Sequence, residues 1–399
     1  MKPTVSMLRC TEKRHILKTD DMYRKFQNQS RHDIMTRFLS TTLPFALILC
    51  YSALAQSGSD SSPKWFEGVS FNGFVSSAFT YNFNKPVDGH NSFRAFDTRH
   101  NSFSIDVFEL AVQRDASEVG DAGFRVDVTA GSTIPQATHS SGMNTGDFDL
   151  QQAYVSWNAP LGDGLHIDFG KFATHLGYEL IDGYDGFNDN YSRSFLFGYA
   201  IPFTHTGIRA RYDFSSSLSF AALVVNGWDN AVDNNSSKSI GGQLSASPLS
   251  GLNLYANYIF GPERDGNNSA NRSVLDICAS YAPSEALTVG INIDMGNEDD
   301  FDADNSAGWN GFAAYLRYSL CPAFAVAARA EMFDDKDGAR SGTKQKLTEF
   351  TITPEYCPSP GLAFRLEFRM DMSDKKVFVK DGEPVDSQST LAFNGVFFF

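Results

Sequence analysis

Residues Leu362-Ala363-Phe364-Arg365-Leu366-Glu367-Phe368-Arg369-Met370-Asp371-Met372 alternate without a break between apolar and small or charged side chains. A period of two is that of an extended strand, whose successive side chains point to opposite faces. Here one face is wholly apolar, and the other carries Arg365, Glu367, Arg369 and Asp371. The same division recurs at Ile208, Ala210, Tyr212 and Phe214 against Arg209, Arg211 and Asp213. It recurs again at Leu287, Val289, Ile291, Ile293 and Met295, and at Phe324, Val326, Ala328, Ala330 and Met332. At the chain end Leu391, Phe393, Gly395, Phe397 and Phe399 continue it to the last residue. Terminal aromatics on an edge strand of a soluble sheet would invite aggregation. A strand that closes a barrel in lipid has no such liability.

Scanning outward from these segments gives sixteen candidate strands, near 66–83, 101–115, 121–131, 147–158, 164–172, 204–214, 217–227, 238–247, 251–261, 272–282, 286–296, 309–320, 323–333, 345–357, 361–373 and 389–399. Short turns follow the even-numbered strands. Longer connections follow the odd-numbered ones: 84–100, 132–146, 173–203, 228–237, 262–271, 297–308, 334–344 and 374–388. Segregated loop lengths are the mark of a transmembrane antiparallel β-barrel, with short periplasmic turns and long outer loops. The fold class is therefore all-β, a barrel of about sixteen strands over residues 65–399. The chain of 399 residues is 14% aromatic yet has a net charge of −14 and a mean hydropathy of −0.27. It lacks the long apolar runs of a helical membrane bundle, and it has no basic surplus for nucleic acid.

The N-terminal region reads as a targeting segment. Arg24, Lys25, Arg31 and Arg37 precede an apolar stretch over Phe38–Tyr51, and Ala53-Leu54-Ala55 forms an A-x-A cleavage site before Gln56. Residues 1–55 are thus an extension plus cleaved signal peptide, and 56–64 a short linker. The basic part is long enough to suggest a start at Met22 or Met35. Beyond residue 55 the chain holds 24 basic and 43 acidic residues, a net of −19.

If the apolar parity faces lipid, the opposite parity faces the lumen. Arg125, Arg209, Arg211, Arg317, Arg329, Arg365 and Arg369 then point inward, with Asp127, Asp168, Asp276, Asp294, Glu331, Glu367 and Asp371. A basic residue facing lipid at mid-depth would cost roughly 2–4 kcal/mol. A barrel of about sixteen strands is wide enough for an aqueous channel. The longest connection, 173–203, carries Glu179, Asp182, Asp185, Asp189 and Arg193, and is expected to fold into the lumen with its carboxylates facing wall arginines. The alternative is an external cap on the barrel mouth. Net acidity suggests a mild preference for cations, opposed by the arginines of the wall.

In this same region the sequence resembles the putative β-barrel porin family 2 of bacterial outer membranes. The matching stretches are Gly170-Lys171-Phe172, Gly177-Tyr178-Glu179, Tyr191-Ser192-Arg193-Ser194-Phe195, Pro202-Phe203-Thr204-His205-Thr206-Gly207 and Asn226-Gly227-Trp228-Asp229. The resemblance covers Trp65–Phe399 and implies an outer-membrane, porin-like barrel. It carries over no catalytic residue and no solute preference.

Motifs for enzyme chemistry are absent: no P-loop, G-x-S-x-G, H-E-x-x-H or C-x-x-C occurs. Asp300-Phe301-Asp302-Ala303-Asp304 begins like a calcium loop, but Asn305 stands where the turn glycine belongs and Gly311 where the bidentate glutamate belongs. No cofactor or metal is expected. Aromatics such as Trp157, Tyr258, Tyr318, Tyr154, Tyr199, Phe203 and Tyr315 are expected to form interfacial girdles. The expected function is an outer-membrane porin, a water-filled channel for passive diffusion of small hydrophilic solutes. The alternative is a non-conducting structural or adhesive barrel that binds partners through its outer loops. Expected partners are lipid and lipopolysaccharide, the barrel assembly machinery through Phe397 and Phe399, and a second copy of the chain should it oligomerise.

Overall fold

The computed structural model describes residues 67–132, 148–302 and 305–399. The segments expected to be signal peptide and linker, 1–64, lie outside the described residues, as does most of the second long connection. The strands are β1 (Val69–Asn82), β2 (Ser102–Arg114), β3 (Ala122–Ala130), β4 (Phe148–Ala159), β5 (Leu165–Ala173), β6 (Thr204–Ser215), β7 (Leu218–Val225), β8 (Ser239–Leu249) and β9 (Leu252–Pro262). They continue with β10 (Asn271–Tyr281), β11 (Leu287–Asp302), β12 (Asn305–Cys321), β13 (Phe324–Asp335), β14 (Gln345–Ser359) and β15 (Leu362–Ser373). Two three-residue strands, β16 (Phe378–Lys380) and β17 (Glu383–Val385), form a separate hairpin before the final strand β18 (Ser387–Phe398).

Sixteen of these strands close into one antiparallel barrel, in which β18 lies between β15 and β1. Closure runs in unbroken register from Phe74↔Phe398 to Asn82↔Thr390. It extends to the last residue, because Gly73 and Phe399 exchange backbone hydrogen bonds of 3.1 and 3.0 Å. A closed sheet leaves no unpaired edge, which is what a bilayer without competing water demands.

Burial is inverted relative to a soluble protein. On β15, Leu366, Phe368, Met370 and Met372 are exposed, whereas Arg365, Glu367, Arg369 and Asp371 are buried. The apolar parity forms the outer wall and the charged parity the interior on β11 and β13 as well, whereas on β6 Ile208 and Phe214 are exposed, Arg209 and Arg211 half-buried, and Asp213 exposed.

Several details differ from the sequence reading. Residues 297–308, read as a long connection, are mostly ladder: β11 runs to Asp302, β12 starts at Asn305, and Asp302 pairs with Asn305 across a register shift. Polar loop composition conceals strand there, because a rim beyond the bilayer needs no apolar face. Of the three terminal phenylalanines, Phe397 and Phe399 face outward while Phe398 turns inward, 5.6 Å from Phe187 between ring centroids. Trp157, Tyr258 and Tyr318 are exposed near strand ends, as girdle residues should be. Phe203 and Tyr315, also read as girdle residues, are buried inside: Tyr315 has the inward parity of β12, and Phe203 ends the 173–203 connection just before β6.

Candidate functional site

The connection 173–203 lies inside the barrel. It holds one short helical turn, Leu196–Ala200. An irregular segment buried in this way must find partners for nearly every main-chain polar group. Here the wall supplies them. Glu109 of β2 accepts the Tyr184 N–H (2.7 Å) and Asp276 of β10 accepts that of Gly177 (3.1 Å). Asn292 of β11 accepts from the Tyr178 N–H at 3.2 Å. Along 188–196 the clamps are denser. Arg365 donates to the Asn188 carbonyl (2.6 Å), and Glu367 accepts the N–H groups of Tyr191 and Ser192 (2.6 and 2.9 Å). Arg329 donates to the Ser192 carbonyl (2.7 Å) and Arg369 to that of Arg193. Glu331 accepts from Phe195 and Leu196 at 2.6 and 3.2 Å. Wall carboxylates thus hold loop N–H groups and wall guanidiniums hold loop carbonyls. Charge-assisted bonds of this kind are roughly twice as strong as neutral ones.

Shape fits as well as charge. Tyr178 stacks on Tyr315 with centroids 4.1 Å apart. It occupies the hollow above Gly290 of β11, where a Cβ would meet its ring at 2.3 Å. Leu196 sits in the same way over Gly311 of β12, 2.6 Å from a Cβ built there. Both glycines have ordinary strand backbone; what they provide is room. Gly290→Val should therefore displace Tyr178 and destabilise the barrel by about 1–3 kcal/mol, the usual cost of overpacking. A denaturant midpoint in detergent reads this, and an unchanged midpoint would show that the loop does not need its seat.

Loop carboxylates meet wall arginines in four places. Glu179 pairs with Arg329, Asp185 with Arg125 (2.7 Å) and Asp189 with Arg317 (3.4 Å). Asp182 lies 3.9 Å from Arg365 and 2.8 Å from Arg193 of its own loop. Glu179 also accepts the Ser194 N–H and hydroxyl, each at 2.8 Å, which folds the loop back on itself.

The fourteen inward charges named from sequence fall into two groups. Asp127, Asp276, Asp294, Arg317, Arg329, Glu331, Arg365, Glu367, Arg369 and Asp371 are buried, and so is Asp168. They are held in networks: Arg369 on Asp371 (2.6 Å) and Glu349 (3.2 Å), and Arg317 on Glu355 (3.1 Å). Asp276 accepts from Asn292 at 2.6 Å, and Asp127 from Gln152 at 2.6 Å. Only Arg125, Arg209 and Arg211 keep appreciable side-chain exposure, 12%, 25% and 21%. They lie on β3 and β6, the outer strands of the four-strand wall segment β3–β6, with His166 of β5 (33% exposed) and the loop's Asp185 (42%). Arg209 rests on Asp168 (2.6 Å) and over the Phe172 ring (4.8 Å).

Other participants escaped the sequence reading. Glu109, Glu349 and Glu355 share the inward parity and were legible on that basis. Arg94 was not, because it lies in the first long connection, where no periodicity applies. It reaches Asp371 at 2.7 Å and also binds Asp97, so a second connection enters the barrel.

Comparison with known proteins agrees with this architecture. No curated protein matches the chain. An anion-selective porin from Comamonas acidovorans superposes with a TM-score of 0.58 at 13% identity, covering 83% of this chain and 99% of that one. The outer-membrane channel DcaP of Acinetobacter baumannii gives 0.60 at 11% identity, covering 83% and 97%. OmpT of Vibrio cholerae in its trimer form gives 0.56 at 11% identity, covering 83% and 99%. At these identities the likeness is one of fold. The family model described as "Putative beta-barrel porin-2, OmpL-like" matches residues 68–399. With nearly the whole barrel matched, and with a charged interior inside a lipid-facing wall, the chain belongs to this porin family of the outer membrane.

Proposed function

We propose that the protein is a narrow diffusion channel for small hydrophilic solutes, whose water path runs between the inserted loop and the wall of β3–β6. The observation that carries this is the uneven exposure of the inward charges. Those on β10–β15 are sealed beneath the loop, whereas Arg125, Arg209, Arg211 and His166 keep contact with solvent. The loop 173–203, with Glu179, Asp182, Asp185, Asp189 and Arg193, acts as the constriction. The buried wall residues act as its anchor and not as pore lining. Export by a cleaved signal peptide, contact with lipopolysaccharide and assembly through Phe397 and Phe399 belong to the same reading. The trimer form of the Vibrio cholerae neighbour makes a homo-oligomer reasonable.

The charge bias follows from the exposed set, not from the whole-chain net charge. Three guanidiniums stand against two exposed carboxylates, Asp185 and the Asp213 that pairs with Arg211 at 2.9 Å. This small positive excess favours anions weakly, and distant loop carboxylates are screened beyond about 8–10 Å at physiological salt. In planar bilayers the channel should show stepwise conductance and a reversal potential on the anion side in a salt gradient. Exchanging Arg125, Arg209 and Arg211 together for Gln should move it to the cation side. A wild-type channel already strongly cation-selective would overturn the assignment of the path. Absence of any conductance would favour the non-conducting barrel, a reading supported by the extent of interior burial.

A further inference from the structure

At the long-loop rim, inside the mouth, two tryptophans and two arginines from four separate segments interleave. Trp228 follows β7, Arg272 begins β10, Trp309 lies on β12 and Arg340 follows β13. The Arg272 and Arg340 guanidiniums lie 4.9 and 4.7 Å from the Trp228 ring centroid, and Arg340 is 5.2 Å from that of Trp309. The indoles meet edge to face at 6.3 Å. The cluster is joined to the inserted loop: Trp309 Nε1 donates to the Ala200 carbonyl (3.1 Å) and Arg340 Nε to that of Tyr199 (2.6 Å).

The two arginines are not equivalent. Arg272 is bound bidentately by Glu298, at 2.9 and 3.0 Å. Arg340 is half-buried, has no carboxylate partner among the described residues, and its guanidinium makes one hydrogen bond, through Nε, which leaves the two terminal nitrogens without one. The carboxylates whose fields reach it form no ion pair with its guanidinium, and one oxygen of Asp335, Oδ1, has no hydrogen-bond partner. Asp335 accepts the Arg340 and Ser341 N–H groups (3.0 and 2.6 Å), and Asp229 accepts those of Phe203 and Thr204 (2.6 and 2.8 Å). Glu298 is held by Arg272. Burial, together with the neighbouring charge of Arg272, pushes the Arg340 guanidinium down to about 10, so it stays protonated at neutral pH. A cation whose faces rest on aromatic rings and whose fork is left open is arranged to receive an oxyanion through two parallel N–H···O bonds.

We propose that Arg340, positioned by Trp228 and Trp309 and backed by Arg272, is a binding site for small solutes bearing a carboxylate or phosphate group at the entrance of the channel. The site sits above the inserted loop and would capture such solutes before the constriction. It goes beyond the porin reading but rests on it for its role in passage; binding itself does not depend on conduction.

The test uses the full chain in detergent, titrated by intrinsic tryptophan fluorescence with inorganic phosphate in one arm, succinate in another and chloride as reference. A saturable change with either oxyanion, absent with chloride, is expected, and the arm that saturates at lower concentration names the preferred group. Arg340→Gln should weaken it about tenfold or more, the loss expected for a bidentate charge-assisted contact. Arg340→Lys, which keeps the charge without the fork, should fall between, and it serves where the Gln variant fails to fold. The proposal is overturned by no saturable change in the wild type, or by variants that bind like it. Intact titration of a barrel that conducts no current would instead sink the channel reading and leave the site standing.

Discussion

Deleting residues 182–190 should raise the single-channel conductance several-fold and strengthen anion preference. The excised segment closes on itself: Asp182 accepts the Asn188 N–H at 2.8 Å, Asn188 donates to the Leu180 carbonyl at 2.7 Å, and Gly183 and Gly186 bridge. Its ends are therefore close, and rejoining them need not disturb the anchors from Tyr191 to Leu196. What disappears is Asp182, Asp185 and Asp189, together with Phe187 and its contacts to Phe74 and Phe398 at 6.1 and 5.6 Å. Arg125, Arg317 and Arg365 would then face water without their loop partners. A sixteen-stranded barrel relieved of that filling has room for an aqueous path. Conductance equal to that of the wild type would show that the loop does not set the narrowest point.

Arg329→Ala should be the most damaging single substitution among the wall charges. Arg329 is fully buried and joins Glu179 of the loop to Glu349 of β14 (2.7 Å), while also holding the Ser192 carbonyl. Removing one partner of a buried ion pair leaves the other charge uncompensated, at a cost of about 3–5 kcal/mol. The measurement is the urea midpoint of the refolded barrel. Adding Glu179→Gln to the variant should recover part of the loss, because one stranded carboxylate is then neutral. A loss below about 1 kcal/mol, as for an exposed pair, would mean that the network is solvated and the loop only loosely held.

The architecture was legible because lipid and water enforce a two-residue period along each strand. Arg365, Glu367, Arg369 and Asp371 had to share a side, and an arginine could not face hydrocarbon. Phe397 and Phe399 told the same story at the chain end. Legibility stopped where periodicity stopped. Arg94 and Arg340 lie in connections, and nothing in their sequence neighbourhood indicates that one meets Asp371 and the other two indoles. The polar run near 297–308 hid strand for a related reason: above the bilayer the outer face need not be apolar.

Local sequence thus decided the strands, their faces, the short and long rims, and the inward placement of the charges, since each depends only on a residue and its immediate neighbours in a two-sided environment. Which inward charges contact water depended on the tertiary structure. Arg209 and Arg329 have the same parity and the same chemistry. One is partly exposed beside Asp168 and the other sealed between Glu179 and Glu349, because a loop from a distant part of the chain lies over one wall and leaves the other open. Solvation of a charge is a property of everything packed around it, and that assembly exists only once the barrel has closed.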